Sequence, residues 1–396
     1  MYRYYLLIIV FGFIISCNKE KNITELAGLL TAPNVDFRDS LDIILNREIR
    51  IKSDSNFTYL RPTIFRDTIL LAYVKEKENI ISIFNLKTKS HVRDFEISPL
   101  IHNRDKYSTF YIHNLDSIFL LTSNNTSINL LNGNGGLIKS WSSFDLGIAP
   151  LNTYIFPYFL PQHTIYFNSK TNLVYASLIP GYFPTSSNFE DVPQQVVFNL
   201  ASNIIKLKYG PPEGVMKMKG DLVFPGDLSF PYSLTINERT YISYPLDHFV
   251  YIYNNETGIL VEKKAACSSE IKNFPFPLPS EMIKDSQAMW NFRVQTPFYE
   301  TLNYHSKVKL FTRAVHHPQE LKEMSGKLNT GKSRRTSVII LDSTLQVIGE
   351  TVFNDGIYQI NGAVPLSDGL LLYSNKGFNN NYAIPSLKYE FVPKID

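Results

Sequence analysis

The sequence predicts an all-β fold, namely a six-bladed β-propeller built from four-stranded antiparallel blades. Three observations lead to this prediction: a hairpin pattern recurs along the chain, a second hairpin follows most copies, and helical patterns are nearly absent. Tyr and Phe are abundant, while Gly, Pro and Asn punctuate the chain often. This composition is typical of many short strands joined by turns.

The recurring hairpin consists of an apolar run, a polar pair or triplet, and then alternating apolar residues. The alternation at Ile69, Leu71 and Tyr73 has period two, which is the signature of a strand. A repeat of one supersecondary unit is the usual mark of a repeat architecture. The pattern occurs at 63–74, 111–123, 157–169, 233–245, 301–313 and 363–375, with turns at Asp67, Asp116, His163, Arg239, Ser306 and Asp368.

The second hairpin has its own turn of Asn, Gly, Asp or Ser, residues that favour turn conformations. It occurs at 81–97, 128–144, 196–210, 250–265 and 338–353. Two hairpins give four strands per unit, and about six such units predict the propeller. A β-sandwich, or two smaller β domains, is the alternative. In the third unit, a shift of the first two strands by one hairpin stays open. Short helices are expected at 280–290 and 318–326.

The two ends of the chain predict how the fold closes. The sixth unit has a hairpin and a third strand near Leu387–Val392, but no fourth strand follows. The segment 41–51 has no unit of its own. We therefore expect it to supply that fourth strand, which leaves no open sheet edge.

The first residues predict an export signal and a lipid anchor. Arg3 precedes an apolar run, Leu6–Ser16, which is shorter than the about 20 residues a spanning helix needs. Ile14–Cys17 resembles the bacterial lipobox, in which Cys17 becomes the lipidated first residue. We expect a signal peptide at 1–16, a tether and N-terminal segment at 17–40, and one propeller domain at 41–396. Only Cys267 then remains, so no intrachain disulfide is expected.

The long insertions fall on one side of the predicted units, which we call the long-loop side. It carries the links between strands two and three and between units, whereas the short hairpin turns lie on the opposite, hairpin-turn side. Insertions on one face of a repeat protein often mark its binding face. The alternative is that the aromatic residues of these loops form small cores beneath them. The candidate binding residues are Tyr182, Phe183, Phe189, Phe224, Phe274, Phe276, Trp290, His316 and His317.

Other motifs do not predict a cofactor, a metal or a nucleotide. The stretch Gly326–Ser333 fits a phosphate-binding loop, but a helical pattern precedes it and a strand follows, the reverse of the required order. His316 and His317 are adjacent rather than four residues apart, as in a helical zinc pair. The formal charge of +3 does not indicate a nucleic-acid partner. No catalytic residue is predicted.

The lipobox, the Asn18-Lys19-Glu20 start and the strand repeat rich in aromatics and Asn together resemble the six-bladed, TolB-like propeller lipoproteins of Bacteroidota. Within these, the chain resembles a family catalogued as a domain of unknown function. The resemblance implies an outer-membrane lipoprotein of the cell envelope. Acidic residues after the lipidated cysteine direct such proteins to the cell surface; the partial match at Lys19-Glu20 leaves the surface and the periplasm open.

These observations favour a non-enzymatic tethered module that binds a glycan, a peptide or a protein partner through the long-loop side. The alternative is a glycan hydrolase or lyase with its site at the mouth of the central channel. A structural subunit of an envelope complex is a third hypothesis. An enzyme should gather carboxylates or histidines around a deep pocket, whereas a binding module should present a broad aromatic surface.

Overall fold

The computed structural model describes about two thirds of the chain, and the all-β prediction is confirmed. Helices are few among the described residues: α1 (Ser286–Gln295), a 3-10 helix (Ser280–Lys284), and single helical residues at Leu30 and Leu228. In that part of the chain no helix is long and apolar enough to cross a membrane. The described residues are 30–35, 40–52, 63–65, 70–75, 80–85, 88, 90–97, 107–122, 127–142, 154–155, 165–180, 194–201, 205–208, 222–224, 228, 230–322, 326–329, 334–353, 358–374 and 383–393.

Six four-stranded antiparallel sheets follow one another along the described parts of the chain. Sheets 1 and 2 contain β2 (Thr63–Phe65), β3 (Leu70–Lys75), β4 (Ile80–Asn85) and β5 (Ser90–Glu96), then β6 (Tyr107–Asn114), β7 (Ser117–Thr122), β8 (Ser127–Leu131) and β9 (Leu137–Ser142). Sheets 3 and 4 contain β11 (Ile165–Asn168), β12 (Leu173–Ser177), β14 (Gln195–Asn199) and β15 (Ile205–Lys208), then β17 (Tyr232–Ile236), β18 (Arg239–Ser243), β19 (Phe249–Asn254) and β20 (Leu260–Ala265). Sheet 5 contains β22 (Phe298–His305), β23 (Leu310–His316), β24 (Thr336–Leu341) and β25 (Val347–Phe353).

Sheet 6 joins the two ends of the chain. Its strands are β26 (Tyr358–Leu366), β27 (Gly369–Ser374), β28 (Ala383–Pro393) and β1 (Leu41–Lys52), in that spatial order. β1 pairs antiparallel with β28, from Leu41 opposite Pro393 to Lys52 opposite Ala383. The predicted pairing of segment 41–51 with the last strand is therefore confirmed.

Two small sheets lie in the long links between the larger ones. β10 (Tyr154–Ile155) pairs with β13 (Ile179–Pro180), and β16 (Leu222–Val223) pairs with β21 (Leu278–Pro279). The second of these pairings connects two of the long segments on the long-loop side. The links are thus partly ordered by strand pairing with one another.

The predicted second hairpins are confirmed, but the first hairpin of the third unit is wrong: it is formed one strand later in the chain, by β11 and β12. The turn of sheet 3 lies at 169–172, between β11 and β12, and not at His163, which lies outside the described residues. Asn172 adopts a φ of 54° in this turn. Asn tolerates this left-handed conformation better than most residues, because its short polar side chain hydrogen-bonds locally.

The helix expected at 280–290 is present in part, whereas the one expected at 318–326 is wrong in its described part. Asp285 caps α1 by accepting hydrogen bonds from the backbone N–H groups of Gln287 and Ala288. The residues 318–322 instead form a loop whose carbonyls bind Asn329: its backbone N–H donates to Leu321 O at 2.9 Å and its side chain to Glu320 O at 2.6 Å. These contacts replace helical hydrogen bonds.

Neighbouring sheets pack through apolar clusters at four interfaces. One cluster joins sheets 1 and 2, a second joins sheets 2 and 3, a third joins sheets 4 and 5, and a fourth joins sheets 5 and 6. The first strands of neighbouring sheets are also in contact, in the pairs β2 with β6, β6 with β11, β17 with β22, β22 with β26, and β26 with β2. The described core therefore lies between sheets, which fixes their order in space.

Candidate functional site

The Phe, Tyr and Trp candidates for binding separate into three groups in the structure. Phe224 and Phe274 are buried, with 5% and 4% of their surface exposed, so they are part of the core and not of an exposed surface. Phe276 and Trp290 are exposed at 50% and 42%. Cys17, Tyr182, Phe183 and Phe189 lie outside the described residues. The interpretation of a core beneath the loops thus applies to Phe224 and Phe274.

Phe274 packs into a buried polar centre between sheets 4 and 5. Its ring stacks on His248 at 4.5 Å between centroids, and His248 Nδ1 lies 2.9 Å from the Tyr299 hydroxyl. Burial, with the charge of Arg313 as a second cause, lowers the pKa of His248 to about 3. His248 is therefore neutral at physiological pH and acts as a structural residue.

Arg313 is the fully buried cation of this centre. It donates to Ser243 Oγ at 2.9 Å and to Asp247 O at 2.7 Å, and it lies 3.7 Å from the centroid of the Tyr299 ring. Burial lowers its pKa to about 10. Because the charge is satisfied by hydrogen bonds and by the aromatic ring, the residue binds sheet 5 to sheet 4.

His316 and Glu300 form a close pair at the long-loop end of the same boundary. Glu300 Oε2 lies 2.5 Å from His316 Nε2, and the Tyr232 hydroxyl donates to Glu300 Oε1 at 3.3 Å. The pairing of β22 with β23 shifts between Tyr299 and Leu302, so Glu300 lies in a bulge. Bulges re-aim side chains and are frequent next to active sites. An acid and a histidine at hydrogen-bond distance are capable of proton transfer.

His317 is buried and belongs to a separate network. Its Nε2 lies 2.9 Å from Ser337 Oγ, which donates to Glu350 Oε1 at 2.6 Å. Glu350 also accepts hydrogen bonds from the Ser268 and Ser269 hydroxyls at 2.7 and 2.9 Å. The carboxylate is surrounded by donors, which is the arrangement expected of a group that holds loop 267–270 onto sheet 5.

Of the motif Gly326–Ser333, the structure describes residues 326–329. They lie in the loop that Asn329 closes by hydrogen bonds, and β24 follows the motif. After it, Arg334 is buried and donates to the carbonyls of Arg293 and Val294 at 2.6 Å each, at the C-terminus of α1. A cation at a helix C-terminus is favourable. Among the described residues, no group of three His, Cys, Asp or Glu side chains is placed to hold a metal ion.

Polar side chains also meet at the boundary between sheets 3 and 4. Ser177 Oγ and Ser233 Oγ hydrogen-bond to each other, and Gln195 Nε2 donates to Thr235 Oγ1 at 3.3 Å. The serine pair lies toward the long-loop end, whereas Thr235 is close to the hairpin turn of β17 and β18. Toward the hairpin-turn end the two sheets spread apart, and a groove of about 500 Å³ opens between them.

This turn-side groove is built from one face of sheet 3 and two turns of sheet 4. Leu173 and Tyr175 lie two residues apart on β12, and Tyr175 is opposite Val197 in register. The opposite face of the same strands, with Val174, Ala176, Val196 and Phe198, packs on sheet 2. The groove is lined by Asn168, Thr171, Leu173, Tyr175, Val197, Asn199, Lys206, Asn237, Glu238, Asn255 and Glu256.

Several amides of the groove are held in place by the turns to which they belong. Asn168 Oδ1 accepts the backbone N–H of Lys170 at 3.0 Å, and Asn199 Oδ1 accepts that of Ala201 at 2.8 Å. Asn255 accepts the Thr240 hydroxyl at 2.7 Å and donates to Asn237 O at 3.1 Å. The side chains are therefore oriented before any ligand arrives, which lowers the entropic cost of binding.

Sequence reasoning missed this groove and the Glu300 pair. In the sequence, the Asn residues of units three and four indicate only turns, and they do form turns in the structure. The alternation of polar and apolar residues in sheet 3 does contain a signal for the groove. Ser177, Gln195 and Lys206 are polar, and they lie on the face that a propeller would bury against its neighbour. A polar residue at such a position indicates either a buried network or an opening between sheets.

Comparison with known proteins shows that a solved structure shares the fold of this chain. No protein-family model matches the chain, and no curated protein matches it. A member of the DUF4221 family from Bacteroides vulgatus has a TM-score of 0.70 at 12% identity, covering 90% of this chain and 100% of that chain. A Bacteroides fragilis protein described as exported has a TM-score of 0.48 at 11% identity, covering 92% and 98%. The first likeness shows a shared fold.

Proposed function

We propose that this chain is a membrane-tethered binding protein of the cell envelope, and that its ligand occupies the turn-side groove. The observation that carries the proposal is the groove itself. Its volume of about 500 Å³ lies within the range of small-molecule sites, and it combines an apolar floor with oriented polar groups. A binding or scaffold role requires no reacting side chain. It is therefore compatible with Asn side chains that also stabilise the turns to which they belong.

The six sheets form a closed six-bladed propeller in this proposal. The succession of contacts between first strands supports it, since β26 of the last sheet contacts β2 of the first. β1 completes sheet 6 and also contacts sheet 5, where the Ser40 N–H donates to Ile348 O at 2.8 Å. Closure of this kind places the first strands around a central channel and leaves only short, protected edges.

The tether supports an orientation for the groove. Leu30 is buried and its carbonyl accepts the N–H of Phe274 at 3.0 Å, on the long-loop side. Cys17, the proposed lipid attachment site, precedes Leu30 by 13 residues. That length spans at most roughly 45 Å when extended. The tether therefore leaves the body on the long-loop side, at the end opposite to the one where the groove opens.

Binding screens with two variants test the proposal. The mature chain carrying Cys17→Ser is applied to glycan and peptide arrays, beside Thr171→Trp, which fills the groove, and Trp290→Ala, which removes an exposed aromatic of the long-loop side. We expect array binding that Thr171→Trp abolishes and Trp290→Ala leaves intact. The opposite pattern would place the site on the long-loop side. Binding unaffected by Thr171→Trp would overturn the groove as the site.

A second candidate function is a glycan hydrolase or lyase, and the Glu300–His316 pair favours it. The pair lies on the long-loop side, beside Tyr232 of the first strand of sheet 4. In this alternative Glu300 transfers a proton to or from the glycan. The glycan is a glycoside for a hydrolase and a uronic acid polymer for a lyase. Release of new reducing ends from a polysaccharide panel, lost in Glu300→Gln, would support it. Binding without any product release would contradict it.

A further inference from the structure

We infer that the turn-side groove takes a short segment of neutral oligosaccharide. This inference rests on the proposed function, because it names the ligand of the same groove. It follows from three features of the lining, which are the apolar floor, the amides on the rim and the balance of charge. The floor disfavours a hydrated ion, the charge balance disfavours an anion, and the rim matches hydroxyl groups.

The floor is apolar and narrow, because Leu173 is partly exposed whereas Tyr175 and Val197 expose only 5% and 4% of their surface. Leu173, Tyr175 and Val197 lie side by side on one face of sheet 3, because Tyr175 is opposite Val197 and Leu173 is two residues before Tyr175. A sugar ring presents a face of C–H groups, which packs on aromatic and aliphatic side chains as other apolar surfaces do. A fully hydrated inorganic ion would gain nothing from such a floor.

The rim carries amide side chains from three hairpin turns. Asn168, Asn199 and Asn237 line the groove at the ends of β11, β14 and β17. Asn255, after β19, is buried and supports the lining through its hydrogen bonds with Thr240 and Asn237. An amide offers a carbonyl acceptor and two N–H donors, and a sugar hydroxyl both accepts and donates. Thr171 adds a hydroxyl to the same rim. Vicinal hydroxyls of a sugar therefore match this rim in both directions of hydrogen bonding.

The charges of the lining favour a neutral ligand over an anionic one. Lys206 is its one cation among the described residues, and Glu238 and Glu256 are carboxylates, so the lining carries one negative charge in excess. A uronic acid or a phosphate would face both carboxylates. A neutral sugar brings no charge that must be desolvated.

An extended peptide fits the lining less well. Peptides commonly bind by adding a strand to an exposed sheet edge, where main-chain groups form a ladder. The groove is bounded by turns, with the side chains of paired strands as its floor: β12 pairs with both β11 and β14. Its polar groups are therefore mainly side-chain amides, which suit hydroxyls distributed around a ring.

Calorimetric and NMR titrations of the mature Cys17→Ser chain test the inference. The probes are a panel of neutral trisaccharides, a trisaccharide of uronic acids, and uncharged tetrapeptides. We expect saturable binding of at least one neutral trisaccharide, with saturation transfer from the Tyr175 ring to sugar C–H protons. Affinity should change little between about 0.05 M and about 0.5 M salt, because no ligand charge is involved.

Two variants and a matched control locate the site. Thr171→Trp and Glu238→Trp each place an indole in the groove and should weaken binding about tenfold or more through steric exclusion. Ser343→Trp places the same indole on an exposed hairpin turn of sheet 5, outside the groove, and should leave the affinity unchanged. Equal affinity in all three variants would overturn the inference.

The outcomes separate the inference from the proposed function. Groove-dependent binding of the uronic acid or the peptides, without binding of any neutral sugar, would overturn the carbohydrate inference and leave the groove as a binding site. If Thr171→Trp and Glu238→Trp leave every binding event unchanged, both proposals fail together. Neutral-sugar binding that only the two groove variants remove supports both.

Discussion

Ser177 of β12 and Ser233 of β17 hydrogen-bond to each other through their hydroxyls across the boundary between sheets 3 and 4. Both residues are buried. They lie toward the long-loop ends of their strands, whereas the groove opens at the other ends. The two sheets are thus joined at one end of their interface and spread at the other.

The serine pair predicts a coupled loss of stability. Ser177→Ala and Ser233→Ala should each lower the free energy of unfolding by about 1 kcal/mol, because each leaves a buried hydroxyl without this partner. The double variant should cost less than the sum, since both polar groups are then gone. Urea unfolding of the four proteins gives the coupling energy, with the exposed Ser343→Ala as the control. Strictly additive costs would show that the pair contributes no coupling.

His248 predicts a dependence of stability on pH. Its pKa is about 3 in the folded protein and near 6.5 when unfolded, so the unfolded chain binds more protons between these values. Its contribution is fully present above about pH 6.5 and falls as the pH is lowered, by up to about 1.4 kcal/mol per unit. Burial lowers the pKa of His317 as well, which acts in the same direction.

Unfolding measured between pH 7 and pH 4 checks this prediction. His248→Gln should flatten the pH dependence, because the titrating group is absent, even if the variant is less stable overall. His91→Gln, at an exposed histidine of β5, is the control and should keep the slope of the unaltered protein. An unchanged slope in His248→Gln would contradict the assignment.

Gly349 predicts a steric requirement where the N-terminal strand meets sheet 5. A Cβ at this position would lie 2.1 Å from the carbonyl oxygen of Leu41, which is backbone and has no rotamer with which to yield. Gly349→Ala should therefore cost about 1–3 kcal/mol through overpacking. Gly258→Ala is the comparison: it has open space but a φ of 74°, so its cost comes from the backbone conformation alone.

Thermal unfolding of the two glycine variants distinguishes these costs. Limited proteolysis provides a second measurement, because displacement of β1 from its site should expose cleavage sites near Leu41 in Gly349→Ala but not in Gly258→Ala. Stability and proteolysis of Gly349→Ala equal to those of the unaltered protein would show that the N-terminal strand tolerates the added methyl group.

Cys17 predicts lipidation. Cells grown with a palmitate analogue should label the chain, and Cys17→Ala should abolish the label and release the protein from the membrane fraction. Cys267→Ala is the control, since this buried thiol should not affect labelling. Label that persists in Cys17→Ala would refute the anchor.

The hairpins were predictable because their contacts are local. The turn between β17 and β18 is set by Asn237, whose φ is 51°, and by the alternation on either side of it, all within about a dozen residues. The third unit was misplaced because 157–169 and 165–177 both read as a hairpin. Only pairing of Tyr166 with Tyr175 in the folded sheet distinguishes them.

The binding surface was less predictable because side-chain burial depends on distant partners. Phe274 and Phe276 are two residues apart in the same loop and look alike in sequence. One stacks on His248 in the core and the other is half exposed, since only Phe274 meets the neighbouring sheet. Loop length alone does not decide which aromatic is a contact residue.

By itself, the sequence determined that the chain is all-β, that its strands come in paired hairpins and that segment 41–51 completes the last sheet. These properties depend on residue periodicity and on turn chemistry, which act over short distances. The tertiary structure alone decided that Asn168 and Glu256 line one groove and that Glu300 meets His316. Such sites depend on how far neighbouring sheets approach or spread, which is the outcome of packing summed over both of their faces.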